Sequence, residues 1–171
     1  IDKLEWNVSN VENMDNMFCG CKFYADISSW DVSNVEIMNS LFEESNFNKD
    51  LSKWNVSNVY TMSRMFKNSI FHGDISNWKV HQVEDMSMMF CRSYFDGDIS
   101  NWDVSNVENM ASMFEQSRFN GDISKWNVQN VDNIRRIINQ NINKSKLLNI
   151  INNWNCKESV KKQIYPTLHF I

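Results

Sequence analysis

The feature that most constrains this chain is the regular recurrence of tryptophan every 24 residues. The six tryptophans of this series are Trp6, Trp30, Trp54, Trp78, Trp102 and Trp126. Val8, Val11, Met14 and Phe18 each begin a series with the same interval. Self-similarity at a fixed interval is typical of stacked repeat proteins, in which each unit buries its apolar side chains against its neighbours. The sequence therefore predicts six units that share one continuous core.

Within one unit, residues 97–120, the apolar pattern predicts a strand followed by a helix. Trp102 and Val104 are two residues apart, which places both side chains on one face of a strand. Apolar residues then follow at helical spacing: Val107, Met110, Met113 and Phe114, with Ser117 continuing the stripe. Ser105 and Glu108 are placed as a capping box at the start of that helix. The fold class predicted is α/β, a solenoid of six 24-residue strand–helix turns.

Glycine occupies the turn into the next unit at Gly73, Gly97 and Gly121, and we expect positive φ there because glycine adopts it without a steric penalty. Ala25 and Lys49 replace it in two units. The predicted turn therefore tolerates a side chain at some cost.

The repeating unit W-[DN]-V-S-N-V-x-x-M-x-x-M-F-x-x-S-x-F-x-G-D-[IL]-S resembles the Mycoplasma-type surface-lipoprotein repeat, which is grouped with the BspA-like leucine-rich repeats. Ile99, Trp102 and Val104 match its L-x-x-L-x-L strand, and Phe114–Ser117 matches its A-F-x-x-C step. The resemblance covers residues 1–138. It implies a leucine-rich-repeat-like solenoid with a surface or interaction role, and it supplies no catalytic residues.

After Ile138 the 24-residue interval ends, which predicts a division into a repeat region, 1–138, and a C-terminal cap, 139–171. Leu147, Leu148, Ile151 and Trp154 have helical spacing, and a second short helix is predicted around Val160–Tyr165. The last turn of a repeat stack has to be covered, so we expect this tail to be its lid. No comparable lid precedes Ile1, so we expect that end to continue into further sequence or to self-associate.

Charge and cysteine content narrow the class of protein. The net charge is −4, and no apolar run approaches the roughly 20 residues that a membrane span needs, so neither nucleic-acid binding nor a membrane span is predicted. Cys19 and Cys21 lie too close for easy pairing, Cys91 lies three units from Cys19, and Cys156 stands alone. Four free thiols favour assembly in a reducing compartment, and no cofactor or metal is predicted.

The predicted outward face of the strands is the first candidate surface for a partner. Its candidate residues are Lys53, Asn55, Asn77, Lys79, Asn101 and Asp103. A protein or a glycan could dock on this polar face, or the face could be merely solvated. Ile70 and Tyr94 share one position in adjacent units and predict a small apolar patch, although scattered exposed apolar residues are normal.

Two further features are charged. Residues 132–171 carry seven Lys/Arg against two Asp/Glu, a charge of about +5, so Arg135 and Arg136 belong to a basic end that either binds an acidic partner or is simply solvated. A column of aspartates, Asp26, Asp50, Asp74, Asp98 and Asp122, suggests either a calcium site or hydrogen bonds to turn amides. The second alternative is favoured because each unit supplies only one carboxylate at this position.

No nucleophile elbow, phosphate loop or metal-ligand pair is present in the sequence, so we predict that the chain is not an enzyme. Two functional interpretations remain. The first is a non-enzymatic protein-interaction or scaffold domain on the surface of a cell or particle. The alternative is a structural component of a larger assembly, such as a minor capsid or surface protein of a large DNA virus, whose partner is a coat or shell protein.

Overall fold

The computed structural model describes residues 3–138, 142 and 144–168. The repeats form a stack of coils, one coil per 24 residues, here numbered 1 to 6 by their tryptophans. Single parallel bridges join equivalent residues of successive coils, in the order Asn13, Ile37, Thr61, Asp85, Asn109 and Asn133. Across the described residues, helices are limited to α1 (Lys144–Asn153) and α2 (Glu158–Leu168), and these bridges take the place of strands.

The prediction of an α/β solenoid of strand–helix turns is therefore wrong, because each coil is built from consecutive β-turns. In coil 3 the amides of Met65, Lys67 and Ser69 each donate to the carbonyl three residues earlier, at 3.2, 3.0 and 3.2 Å. Arg64 and Asn68 have φ of 58° and 54°. An α-helix requires negative φ at every residue, so these two positions exclude it.

The capping box is wrong for the same reason. The amide of Ser105 donates to Oδ1 of Asp103 at 3.1 Å, and that of Glu108 donates to the carbonyl of Glu84 in the preceding coil at 2.8 Å. Residues 105–108 are thus held by a local turn and by the neighbouring coil. The leucine-rich-repeat solenoid that the resemblance implied is not what the chain forms.

Stacked aromatic rings fill the centre of the coils. Five phenylalanines in register, Phe18, Phe42, Phe66, Phe90 and Phe114, have ring centroids 5.6–5.8 Å apart from coil to coil. A second series, Phe23, Phe47, Phe71, Phe95 and Phe119, packs beside the first with centroids 4.1–4.4 Å away within each coil. Offset and near-parallel stacking of this kind adds to the free energy gained by burial.

The tryptophans form a third series at the edge of this core. From Trp30 to Trp126 each indole is buried, and its Nε1–H donates to a carbonyl 26 or 27 residues earlier at 2.8–3.1 Å. Trp6 stacks on Trp30 at 6.1 Å and is 57% exposed. Each coil from the second to the sixth is thereby tied to the one before it by an indole hydrogen bond as well as by apolar packing.

The expectation of positive φ at Gly73, Gly97 and Gly121 is wrong, since Gly20 is the glycine with that conformation in the described part of the chain. The lack of room for a side chain beside the phenylalanine rings explains why glycine occupies this position. A Cβ at Gly97 would lie 2.8 Å from Cζ of Phe95, and one at Gly121 would lie 2.5 Å from Cζ of Phe119. Glycine at this turn therefore lets the second phenylalanine series pack against the backbone.

Helices α1 and α2 lie where the apolar spacing of the tail predicts helices. The buried apolar side chains of the helices join the core of the coils, and so does Trp154 in the segment between the helices; the helix residues are Leu147, Ile150, Ile151, Val160 and Ile164. Leu148, which was included in the helical spacing of the tail, is 38% exposed. No helix of the described residues is long and apolar enough to cross a membrane.

Candidate partner-binding surface

The side chains on either side of each tryptophan point away from the core. Trp102 and Val104 are 3% and 1% exposed, while Asn101 and Asp103 beside them are exposed. The same holds in coils 3 and 4, so all six residues predicted for this face are exposed: Lys53, Asn55, Asn77, Lys79, Asn101 and Asp103. Because the coils are in register, these side chains form two parallel columns, and residues in one column are roughly 4.8 Å apart from coil to coil.

Coils 4 and 5 form an open polar groove of about 410 Å³ on this face. Four of the six predicted residues line it, namely Asn77, Lys79, Asn101 and Asp103, together with His81 and Asp98. Lys53 and Asn55 belong to coil 3 and do not line this groove. The structure thus brings the predicted residues of two coils together and leaves those of the third beside them.

Coil 4 differs in sequence from the other coils at two of the residues that line this groove. In coils 2 and 5 an aspartate follows the tryptophan, and its Oδ1 accepts the amide of the serine two residues later, as in Asp31–Ser33 and Asp103–Ser105, both at 3.1 Å. Lys79 replaces the aspartate and carries no acceptor, and His81 replaces the serine. Coil 4 therefore presents donor groups where its neighbours use an acceptor to close a turn.

Asp103, Lys79 and His81 are among the groups that carry or influence charge in the groove. Hydrogen bonds from the side chain and the backbone of Ser105 lower the pKa of Asp103, and the charge of nearby His81 lowers it further. Lys79 belongs to none of the three ion pairs among the described residues. The groove accordingly presents the ammonium group of Lys79 and side-chain amides beside the carboxylates of Asp98 and Asp103, so a ligand meets both hydrogen-bond donors and acceptors.

The structure places Ile70 and Tyr94 at the same position of adjacent coils, with side chains 43% and 48% exposed. Arg118 has this position in the next coil, and its guanidinium lies over the ring of Tyr94. Arg118 was not a predicted site residue. Its signal in the sequence was the shared repeat position, which pairs a cation with an aromatic ring one coil away.

The basic C-terminal end is partly neutralised by contacts within the chain. Arg136 lies 3.6 Å from a carboxylate oxygen of Glu115, and Lys157 pairs with Asp132. Lys146 donates to the backbone carbonyl of Asn120. Arg135 is exposed and belongs to none of the ion pairs of the described residues. Lys146 and Lys157 therefore join the cap to the coils, and Arg136 joins coil 6 to coil 5.

The aspartate column has a structural role in each turn. Oδ1 of Asp50, Asp74 and Asp98 accepts the amide of the serine two residues later at 2.8–2.9 Å. This hydrogen bond, with a second one from the serine hydroxyl, lowers the pKa of each of these carboxyls. No group of three side chains suited to a metal ion occurs among the described residues. The turn role is the alternative that these contacts support.

The four cysteines are free thiols. Cys19 and Cys21 are exposed, Cys156 is half-buried and Cys91 is buried. Burial raises the pKa of the Cys91 thiol, and Glu115 adds to the effect. A buried thiol of raised pKa is a poor nucleophile, so Cys91 serves as a packing residue.

Comparison with known families decides the relationship of the chain. Residues 2–93 and 67–165 both match the family described as Mycoplasma protein of unknown function, DUF285. The chain belongs to this family. The resemblance to a Mycoplasma-type repeat is thus confirmed, whereas the narrower BspA-like leucine-rich-repeat assignment is not. None of the curated proteins and none of the solved structures matches this chain.

Proposed function

We propose that this DUF285 chain is a non-enzymatic interaction domain on the surface of a cell or particle, and that it binds a protein through the groove of coils 4 and 5. The observation that carries the proposal is the replacement of the turn-closing Asp–Ser pair by Lys79 and His81. This replacement gives up a local hydrogen bond that other coils keep. It leaves a cation and an imidazole at the surface.

The stacked architecture supports this function because it fixes side chains on a rigid surface. Each outward side chain is flanked by buried neighbours, as Lys79 is by Trp78 and Val80. The backbone of every coil is bonded to the next, so little ordering of the backbone is needed when a partner docks. A polar face that carries both donors and acceptors suits the polar surface of a protein partner.

A variant that restores the repeat tests the proposal with little risk to folding. Lys79→Asp combined with His81→Ser gives coil 4 the pair that coil 5 already has in Asp103 and Ser105. We expect the turn to close as in coil 5, because the same side chains form it there. The matched control is Lys53→Asn, which changes an exposed residue of the same face outside the groove.

The measurement is cross-linking mass spectrometry on the intact source cells or particles, with Lys53 and Lys125 as exposed reporters beside the groove. In the Lys53→Asn control, Lys125 alone reports. We expect reproducible links to a second protein that the double variant loses and the control keeps. Links confined to this chain, or links that the double variant retains, would contradict the proposal. A coat or shell protein at the other end of the links would identify the partner as part of an assembly.

A further inference from the structure

A ridge formed by Ile70, Tyr94 and Arg118 runs across coils 3, 4 and 5. The three residues share one repeat position, which carries Lys22 in coil 1 and Asn46 in coil 2. This position lies in a different part of the coil from the groove, at the turn that follows the first phenylalanine series. The apolar and aromatic residues at this position, Ile70 and Tyr94, lie in adjacent coils, and Arg118 follows in the next coil.

Hydrogen bonds between coils hold the ridge in place. The amide of Tyr94 donates to the carbonyl of Ser69, and that of Arg118 donates to the carbonyl of Ser93, both at 3.1 Å. The guanidinium carbon of Arg118 is 4.0 Å from the centroid of the Tyr94 ring. A cation over an aromatic face at this distance is attracted by the ring, which limits the rotamers of both side chains before any partner arrives.

The charge of Arg118 has no carboxylate partner among the described residues, since none of their three ion pairs includes it. Asp96, two residues beyond Tyr94, is also outside these pairs. The neighbouring Arg92 donates from Nε to the side-chain oxygen of Gln116. A guanidinium stacked on a ring still presents N–H donors at its edge, and that fork matches a carboxylate.

We propose that this ridge binds a protein segment in which an acidic side chain lies next to an apolar one. The carboxylate pairs with the guanidinium of Arg118, and the apolar side chain covers Ile70 and the open part of Tyr94. Tyrosine and arginine are the residue types over-represented among the strongest contributors to protein interfaces. The ridge does not depend on the groove, and it stands if the groove proposal fails.

The repeat supplies substitutions with a small risk of misfolding. Ile70→Asn and Tyr94→Asn introduce the residue that coil 2 already has at this position in Asn46, and Arg118→Lys introduces that of coil 1 in Lys22. Arg118→Lys keeps the charge but loses the planar fork. The matched control is Tyr24→Asn, because Tyr24 is another exposed aromatic, at 64%, and coil 2 has Asn48 at its position.

The probe is a library of random peptides displayed on phage, selected on the full chain and then measured singly by fluorescence polarisation. We expect enriched peptides to carry Asp or Glu beside Leu, Ile or Phe. Tyr94→Asn should weaken their binding by roughly tenfold or more, and Arg118→Lys by a smaller factor. The control Tyr24→Asn and the groove variant Lys79→Asp/His81→Ser should leave binding unchanged. Circular dichroism of each variant verifies that it is folded.

Three results would overturn the proposal. The first is a selection that enriches no peptide over the same selection on the Ile70→Asn/Tyr94→Asn chain. The second is enrichment of basic peptides. The third is a set of acidic peptides whose affinity is insensitive to Tyr94→Asn in a folded protein.

Discussion

The junction between two coils and the junction between the last coil and the cap use the same positions but different chemical groups. Between coils 5 and 6, the carbonyl of Glu108 accepts the amide of Asp132, and the amide of Met110 donates to the carbonyl of Asn133, both at 2.8 Å. At the cap, the carbonyl of Asp132 accepts Nε2 of Gln163 at 2.8 Å, and the amide of Ile134 donates to its Oε1 at 3.1 Å. The side-chain amide of Gln163 thus supplies both the donor and the acceptor that backbone groups supply between two coils.

The tryptophan series shows the same replacement. Nε1 of Trp126 donates to the carbonyl of Ile99 at 3.1 Å, and Nε1 of Trp154 donates to that of Ile123 at 2.8 Å. Trp154 follows Trp126 by 28 residues and comes just after helix α1 ends. A helical tail can therefore close a stack of turns if it supplies the hydrogen-bonding groups and the buried tryptophan that a further coil would supply. The open edge is thereby covered.

The largest expected loss of stability comes from removing a tryptophan, and it should differ between the two junctions. Trp78→Ala should lower the free energy of unfolding by about 3–5 kcal/mol, because it opens a cavity between two coils and removes a buried hydrogen bond. Trp154→Ala removes a buried tryptophan at the end of the stack, where coils lie on one side, so we expect a smaller loss. Urea unfolding of both variants measures the difference. Equal or greater destabilisation by Trp154→Ala would contradict the view that the cap is the peripheral junction.

The glutamine of the cap gives the next largest effect. Gln163→Ala leaves the amide of the buried residue Ile134 without an acceptor, and we expect a loss of about 1–2 kcal/mol. Gln163→Glu keeps that acceptor but cannot donate to Asp132, so its loss should be smaller. Hydrogen exchange at the Ile134 amide measures the loss of protection in both variants. Lys162→Ala, an exposed change on the same helix, is the control, and a loss as large as that of Gln163→Ala would refute this role.

Acid should weaken the coils before it weakens the cap, because the turns of the coils depend on aspartates. Hydrogen bonds from Ser76 and Ser100 lower the pKa of Asp74 and Asp98. A lowered folded-state pKa contributes stability that is present above the unfolded pKa of about 3.9 and is lost as pH falls through the folded value. Replacing both by Asn, which keeps the acceptor, should flatten the stability curve below about pH 4. An unchanged acid limb would contradict the prediction.

The smallest effect is expected at the glycine turn. Gly97→Ala places a Cβ against the far end of the Phe95 ring, which must move slightly, as the coil with Ala25 shows to be tolerable. We expect a loss of about 1 kcal/mol or less, measured by thermal unfolding. Unfolding of the variant at room temperature would mean that the second phenylalanine series cannot shift.

The sequence was sufficient to predict which side chains face the core, but not to predict the backbone conformation within each coil. The 24-residue interval correctly identifies which side chains face the core, and it marks Lys79 and Asp103 as outward. It could not distinguish a helix from consecutive turns, because both bring residues three and four apart to one side. The residues at positive φ, such as Arg64, Met88 and Arg92, carry no signal for that conformation. Contacts between coils impose it.

The candidate surfaces were predictable to a similar degree. Exposure of Ile70 and Tyr94 follows from their position in the repeat. Arg118 and His81 are not among the predicted site residues, because Arg118 is an ordinary polar residue at its repeat position and His81 indicates only the loss of a serine. Only the register between coils shows that Arg118 meets Tyr94 and that His81 faces the groove beside Asp103.

The most direct test of this account is the measurement of backbone chemical shifts by NMR across residues 62–69. A stack of turns predicts left-handed shifts at Arg64 and Asn68, separated by residues of negative φ. An unbroken run of helical shifts from Met62 to Ser69 would contradict the turn architecture and return the unit to a strand–helix repeat.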